Sequence, residues 1–310
     1  LTSKAGTITS GEDRFMEWKT IDGNYENTQY AQFDTFFQGM FQKERLLDIL
    51  KNFICFSNEG LKKVKILAGY HQYFAVKKAI ESTKHAMATD GKGGVFWHTQ
   101  GSGKSLSMVF YAHLLQEELD SPTIVVITDR NDLDDQLYGQ FTHCKDFLRQ
   151  TPVQAKTRVD LHYLLDGRQA NGIFFTTMQK FEESHEALSE RRNIIVLADE
   201  AHRGQYGLQE RIKITTNENG EEEAKAVMGM ARMIRNSLPN ATYVNLYGPT
   251  EITCNCTYHI IDKNLNTKHS KDFIQLLLDV LEIDEKADYY ICGNNPSEAV
   301  LQICVQECRG

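Results

Sequence analysis

Residues 94–105, GVFWHTQGSGKS, decide the fold that this sequence predicts. The first four are a short apolar strand pattern, and residues 105–118 have the pattern of a long helix. Between them, small residues let backbone N–H groups turn toward an anion, and the helix N-terminus adds partial positive charge. A strand, such a loop and a helix are typical of a phosphate-binding loop: Gly101, Ser102 and Gly103 line the phosphates of ATP, Lys104 reaches the β- and γ-phosphates, and Ser105 ligates Mg²⁺.

The strict form of this loop has glycine at position 98, where the chain has His98. Many helicase-type loops relax that position. The alternative interpretation is a glycine-rich turn that contains Gly-Lys-Ser by chance.

A second motif, Asp199-Glu200-Ala201-His202, directly follows the apolar run IIVLA at residues 194–198. An aspartate at the end of a buried strand holds Mg²⁺ through water, and the adjacent glutamate orients or deprotonates the attacking water. We therefore expect Asp199 and Glu200 to act with Lys104 as the catalytic residues. The alternative is a strand that simply ends in polar residues.

The pattern between and around these motifs predicts an α/β fold. Apolar strand patterns occur at residues 94–97, 123–128, 172–176 and 194–198, and helical patterns at residues 71–84, 105–118, 132–141 and 226–238. Apolar strands that alternate with helices indicate a parallel sheet covered by helices on both faces, with the carboxyl ends of the strands on one ligand-binding edge. Residues 44–56 read as a further helix, and the polar residues 215–225 as a mobile loop.

Three weaker features fit the same site. Gln72 lies upstream of the loop, where helicase-type ATPases read adenine. Residues 128–132, which include Arg130, and residues 176–179, which include Thr176 and Thr177, follow strand ends and suit contacts with a nucleic-acid backbone. Ordinary loop chemistry is the alternative for each of them.

Composition sets broad limits. The 310 residues carry a net charge of −8 and include seven cysteines. A large motor can be acidic overall and still have a basic groove, so the charge does not exclude a nucleic-acid partner. We find no apolar run of about 18 residues and no secretory signal, which predicts a cytoplasmic protein with reduced thiols and no membrane partner. The chain begins with Leu1, as a fragment does.

Longer phrases resemble one family. WHTQGSGKSLSMVFYA, VITDRNDLDDQL, RQTPVQA, FTTMQKF, LSERRNIIVLADEAHRGQYG and RNSLPNAT are similar, in this order, to the first motor lobe of the R (HsdR-type) subunits of type I restriction enzymes. The upstream phrases GEDRFMEWKTIDG and LAGYHQYFAVKKAIEST also look like that family. The resemblance covers roughly residues 7–242.

The resemblance implies a RecA-like, ATP-driven DNA translocase lobe at residues 69–242, joined by a helical connector at residues 1–68 to a nuclease domain that precedes this segment. It implies ATP and Mg²⁺ as cofactors, and double-stranded DNA and the methyltransferase (M) and specificity (S) subunits as partners. By the same analogy Gln72 lies at the adenine and His202 couples the nucleotide site to DNA. Glu17-Trp18-Lys19, which has the form of a nuclease triplet, falls outside the family's nuclease motif, so no cleavage is expected.

The resemblance ends near residue 242. Residues 243–253, YVNLYGPTEIT, instead look like the NxYGPTE motif of amino-acid-adenylating enzymes, whose other motifs are absent from this sequence. We expect residues 243–310 to form an atypical, α-rich tail with helices at 272–281 and 298–308. A zinc site is one interpretation of its cysteines, and packing thiols are the other: Cys254, Cys256, Cys292, Cys304 and Cys308.

Four hypotheses remain at this point. The first is the motor lobe of a type I restriction R subunit, in which turnover is weak without a second lobe. The second is another helicase-like remodelling ATPase. The third is a chain that binds nucleotide or DNA without turnover, and the fourth is an adenylating enzyme.

Overall fold

The computed structural model describes residues 3–24, 32–59, 62–97, 102–128, 131–181, 187–199, 211–216, 222–227 and 230–247. The predicted helices at residues 272–281 and 298–308, and the five cysteines of the predicted tail, lie outside these residues. Among the helices that are described, none is both long and apolar enough to cross a membrane.

The N-terminal part mixes strands and helices. Its elements are β1 (Lys4–Ala5), β2 (Met16–Glu17), α1 (Phe33–Met40), α2 (Lys43–Asn52), β3 (Ile54–Glu59) and β4 (Lys62–Leu67). Strands β1 and β2 pair antiparallel, as do β3 and β4. The connector predicted to be helical therefore contains two small antiparallel strand pairs as well as two helices.

The following residues build the main sheet, its helices and one separate pair of strands, β10 and β11. The elements are α3 (Tyr70–Ala88), β5 (Lys92–Trp97), α4 (Lys104–Glu118), β6 (Thr123–Thr128), α5 (Asn131–His143), α6 (Lys145–Leu148), β7 (Val153–Gln154), α7 (Arg158–Asp166), β8 (Ile173–Thr177), β9 (Ile194–Asp199), β10 (Arg211–Thr216), β11 (Glu222–Val227), α8 (Met230–Ser237) and β12 (Thr242–Tyr247).

Six of these strands form one sheet in the order β5-β12-β9-β6-β8-β7. Every neighbouring pair in it is parallel. The predicted parallel α/β sheet is thereby confirmed. Because all strands run the same way, the residues that follow β5, β6, β8 and β9 meet at one edge.

The sheet has a separate apolar core on each face. On β6, Ile124 and Val126 pack in the cluster that contains α3, α4 and α5, whereas Val125 and Ile127 pack in the cluster that contains α7 and α8. All six residues of β6 are buried. Burial on both faces explains why these strands read as continuous apolar runs rather than alternating ones.

The connector packs on the first of these clusters. Trp18 is 2% exposed, and its ring lies 5.9 Å from the rings of both Tyr73 and Phe74 on α3. Cys55 on β3 is fully buried, and both a hydrogen bond with its neighbour Cys144 and burial raise the pKa of its thiol well above the usual value. The tryptophan of the Glu17-Trp18-Lys19 triplet therefore has a packing role, and the described thiols Cys55 and Cys144 are core residues.

Three local predictions differ from the structure. The helix predicted at residues 226–238 begins at Met230, because Ala226 and Val227 belong to β11. The helix predicted at residues 44–56 ends at Asn52, because residues 54–59 pair with β4. The loop predicted at residues 215–225 contains parts of β10 and β11, which pair antiparallel from Arg211–Val227 to Thr216–Glu222. Strands β10 and β11 have no apolar strand pattern in the sequence. Paired strands satisfy the hydrogen bonds of their backbone without an apolar face.

The boundary predicted after residue 242 falls inside β12. This strand lies between β5 and β9, and Val244 is 2% exposed. A Cβ on Gly93 of β5 would approach Val244 Cγ2 to 2.6 Å, so glycine at that position lets β12 pack close. Residues 242–247 are therefore part of the sheet, whatever motif follows them.

At the amino-terminal edge of the sheet, Arg191 joins three segments through hydrogen bonds. Its guanidinium donates to five oxygens: Asn193 Oδ1, Thr123 Oγ1, and the carbonyls of Leu165, Arg168 and Gln169, at 2.8–3.1 Å. These oxygens belong to β6, to the approach to β9 and to the end of α7. A single side chain thus fixes the relative position of two strands and a helix.

We expect Arg191→Ala to lower the free energy of unfolding by about 3–4 kcal/mol, because it removes charge-assisted hydrogen bonds and leaves their acceptors unpaired. Urea denaturation followed by circular dichroism measures this loss. The exposed neighbour Arg192 gives the control. A loss of similar size in Arg192→Ala would contradict a specific role of the Arg191 network.

Candidate functional site

The glycine-rich loop connects β5 to α4 at the carboxyl edge of the sheet. Gly103, the residue before α4, has φ +84° and ψ 38°, which is the left-handed region. A Cβ at this position would lie 2.8 Å from the side-chain nitrogen of Gln72. Glycine is required here both by the backbone conformation and by the close approach of a neighbouring side chain.

Lys104 and Asp199 meet at this edge. The ammonium of Lys104, the first residue of α4, lies 2.8 Å from Oδ1 of Asp199, the last residue of β9. The Lys104 side chain is 20% exposed and the Asp199 side chain 10%. Two charges taken this far from water stabilise each other, since either one alone would be costly to bury. The structure therefore brings together the cation and the carboxylate that the sequence assigned to one site.

The start of α3 braces the loop. Gln72 is 3% exposed; its Nε2 donates to the carbonyl of Gly103 at 3.1 Å, and its Oε1 accepts from the backbone N–H of Gly69 at 2.9 Å. His71 Nε2 lies 3.0 Å from the carbonyl of Ser102. Both residues that precede α4 are thus tied to α3. Sequence reasoning missed His71, although it lies beside Gln72 in the same phrase.

The threonines at the strand ends lie beneath the surface. Thr128, Thr176 and Thr177 are at most 2% exposed. In register, Thr128 pairs with Thr177, and Ile127 with Thr176. Of these hydroxyls, those of Thr128 and Thr176 have no hydrogen-bond partner. Thr176 and Thr177 therefore end β8 at the carboxyl edge of the sheet, with their side chains buried.

Four predicted site residues lie outside the described part of the chain: Gly101, Arg130, Glu200 and His202. The described residues nearest to them in the sequence lie at the carboxyl edge of the sheet. Gly101 precedes Ser102 in the loop, Arg130 follows β6, and Glu200 follows Asp199 at the end of β9.

The arrangement suits a polyanion accompanied by a hard cation. Lys104 supplies positive charge, the N-terminus of α4 supplies backbone N–H groups, and the left-handed Gly103 keeps the loop free of a side chain. Ser105 and Asp199 carry oxygen ligands, which magnesium prefers over nitrogen or sulfur. The residues present thus fit a nucleoside triphosphate with its cation.

We expect Gly103→Ala to lower the free energy of unfolding by about 1–2 kcal/mol, because the new methyl group strains the left-handed backbone and displaces Gln72. Thermal unfolding measures the change. The matched control is Gly139→Ala within α5, where a Cβ meets nothing within 4 Å. That substitution should raise the free energy of unfolding by about 0.5–1 kcal/mol through helix propensity. A shift of the free energy of unfolding in the same direction in both variants would refute the requirement for glycine at position 103.

Comparison with known proteins places this site in a family. Residues 71–271 match the SWI2/SNF2 ATPase family. Over 263 residues the chain is 41% identical to the type I restriction enzyme HindI endonuclease subunit of Haemophilus influenzae, which covers 80% of this chain and 24% of that subunit. Over 273 residues it is 33% identical to the putative type I restriction enzyme MjaIXP endonuclease subunit of Methanocaldococcus jannaschii, with coverage of 79% and 23%.

Among solved structures, the ATP-dependent Type ISP restriction-modification enzyme LlaBIII bound to DNA aligns with a TM-score of 0.37 and 13% identity, over 57% of this chain and 12% of that one. The chain spans about a quarter of the length of the two restriction subunits. The family match covers the phosphate loop, the Lys104–Asp199 pair and β12. An ATPase family needs a site for a nucleotide, and these residues fit one. The chain thus belongs to the SWI2/SNF2 ATPase family and is homologous to the endonuclease subunits of type I restriction enzymes.

Proposed function

We propose that the chain is the first, ATP-binding motor lobe of a type I restriction enzyme R subunit, which moves along double-stranded DNA at the expense of ATP. The observation that carries this proposal is the Lys104–Asp199 contact of 2.8 Å at the carboxyl edge of a parallel sheet. The two buried charges stabilise each other, and each also suits a ligand of opposite charge: the phosphates for Lys104 and a cation for Asp199.

In the nucleotide-bound state Lys104 leaves Asp199 for the β- and γ-phosphates, whose greater charge competes for the ammonium. Gly101, Ser102 and Gly103 offer backbone N–H groups to the phosphates. Ser105 and Asp199 would hold Mg²⁺, which would neutralise part of the charge of the phosphates. Glu200, the next residue along the chain, orients the attacking water and accepts its proton.

Gln72 marks the adenine side of this site. Its amide is already engaged with Gly69 and Gly103, so in this conformation it acts on the loop. We propose that the base lies against the start of α3 near Gln72. Closure of that region on adenine would then reach the phosphate loop through the hydrogen bond to Gly103.

The DNA surface is proposed at the same edge. Arg130 follows β6, and Thr176 and Thr177 end β8, the neighbouring strand in the sheet. Phosphate contacts from arginine and backbone groups position DNA without reading its sequence. Because the Thr176 and Thr177 side chains are buried, we propose that these two residues contribute through their backbone. We propose that His202, which follows Asp199 and Glu200 in the sequence, couples the two ligands. Sequence recognition then belongs to the S subunit, and we propose a cytoplasmic complex with the M and S subunits.

Turnover needs more than these residues. In phosphoryl transfer an arginine finger contributes roughly 10³–10⁵ in rate, and in two-lobe motors the second lobe supplies it. We therefore expect the 310-residue chain on its own to bind nucleotide firmly and to hydrolyse it slowly. The rate of ATP hydrolysis therefore distinguishes a working motor from a chain that binds nucleotide without turnover.

The first test is Lys104→Ala. We expect it to weaken Mg²⁺-dependent ATP binding at least a hundredfold, because it removes the only lysine placed by the described residues against Asp199. Titration with a fluorescent ATP analogue measures the affinity, and phosphate release with and without duplex DNA measures turnover. The control is Lys92→Ala, an exposed lysine at the opposite end of β5.

The outcomes of these measurements distinguish an ATP-driven motor from the other hypotheses. Binding that depends on Lys104 and on Mg²⁺ supports an ATP site, and stimulation of phosphate release by duplex DNA supports a motor. Equal ATP affinity in Lys104→Ala and the unsubstituted chain refutes the proposed function. Pyrophosphate exchange that depends on an amino acid would instead favour an adenylating enzyme.

The second test addresses DNA. We expect Arg130→Ala to weaken duplex binding several-fold for every sequence tried and to reduce the salt dependence of binding by about one charge, because it removes one phosphate contact. ATP affinity should stay unchanged. Fluorescence anisotropy at several salt concentrations measures both effects. Arg192→Ala, at the far edge of the sheet, is the control, and an equal loss in that variant would contradict a local DNA surface.

A further inference from the structure

Thr128 ends β6 beside the proposed catalytic aspartate. Strands β6 and β9 are parallel neighbours, and their last paired residues are Ile127 and Ala198. Thr128 and Asp199 are the next residues on the two strands. Since neighbouring strands are about 4.8 Å apart, their side chains lie within reach of each other if they share a face.

They do share a face. Side chains alternate along a strand, and Ile124 and Val126 on β6 pack in the cluster that contains α4. Thr128 continues that row. On β9, Ile195 and Leu197 pack in the same cluster, and Asp199 continues their row to contact Lys104 on α4.

The Thr128 hydroxyl is an unsatisfied group. Thr128 is 1% exposed, and its Oγ1 has no hydrogen-bond partner. A buried hydroxyl without a partner costs free energy, and most buried polar groups in native proteins are paired. Nothing in the packing of β6 requires a hydroxyl here, because valine has the same shape without the oxygen. Such a group therefore points to a partner in another state of the site.

We propose that Thr128 is a positioning residue for Asp199 in the nucleotide-bound state. This inference rests on the proposed ATP site. When the phosphates draw Lys104 away, Asp199 loses the ion pair that it makes at 2.8 Å. Rotation about the Cα–Cβ bond of Thr128 lets its hydroxyl donate to one carboxylate oxygen, which leaves the other oxygen for the cation. The hydroxyl is thus unpaired in one state and satisfied in the other.

The other unpaired threonine hydroxyls in the described chain do not share this position. Thr176 pairs in register with Ile127, which packs in the cluster of α7 and α8 on the opposite face of the sheet. Thr142 lies near the end of α5, away from the carboxyl edge. Thr142→Val therefore removes a buried, unpaired hydroxyl by the same substitution at a distant place, and serves as the matched control.

The experiment compares Thr128→Val, Thr128→Ser and Thr142→Val in the 310-residue chain. For each variant, calorimetry gives the unfolding temperature without ligand, and titration gives the dissociation constant for ATP with Mg²⁺. We expect Thr128→Val to unfold at a higher temperature than the unsubstituted chain, yet to bind ATP with Mg²⁺ about tenfold more weakly, because the missing bond is one to a charged group. Thr128→Ser should bind within twofold of the unsubstituted chain.

Opposite shifts of stability and affinity distinguish positioning from a structural role, which would lower both. Thr142→Val should raise the unfolding temperature and leave the affinity unchanged. Unchanged ATP affinity in Thr128→Val, or an equal loss in Thr128→Ser, overturns the positioning role while the ATP site stands. Absence of ATP binding by the unsubstituted chain refutes the proposed function itself, and the role of Thr128 with it.

Discussion

The contact between Lys104 and Asp199 is the constraint on which the site depends. Its two residues belong to α4 and β9, and β12 lies between β9 and the strand that leads into α4. The pair therefore exists only when three strands are in register and the loop before α4 has its left-handed turn at Gly103. Because a buried charge without a partner is costly, any departure from this arrangement exposes one of the two to an unfavourable environment. Fold and site are thus coupled through one electrostatic contact.

The sheet was predictable from the sequence because its central strands are apolar on both faces. The runs at residues 123–128 and 194–198 have no polar side to confuse the pattern, and the structure buries both. Strands were not predictable where backbone pairing, rather than burial of apolar side chains, stabilises them. Residues 222–227 contain three charged residues and only small or β-branched apolar ones, and residues 54–59 continue an apolar stripe that began in a helix. Backbone pairing satisfies such segments independently of their side chains, so periodicity alone does not find them.

The site divides in the same way. Lys104 and Asp199 were predictable because a local motif carries each one, and the sheet brings the motifs together. The brace formed by His71 and Gln72 was not, since its hydrogen bonds join residues 31 positions apart and depend on how α3 lies against the loop. The resemblance to the family predicts that Gln72 lies at the adenine, and in the structure both ends of its amide bind backbone groups. One side chain can serve both tasks only if the base and the loop move together.

An unpaired hydroxyl beside a paired carboxylate has a consequence for the energetics of the unliganded site. The ion pair neutralises the charge of Asp199, and the Thr128 hydroxyl has no hydrogen-bond partner. Under the role proposed for Thr128, a phosphate that binds Lys104 would give the Asp199 carboxylate and the Thr128 hydroxyl to each other. Under that proposal, valine at position 128 would stabilise the fold, and part of the binding free energy of the nucleotide would come from pairing the Thr128 hydroxyl. A fold selected for stability alone would bury an apolar side chain there. The hydroxyl at the end of β6 therefore argues that this edge of the sheet is shaped by the liganded state.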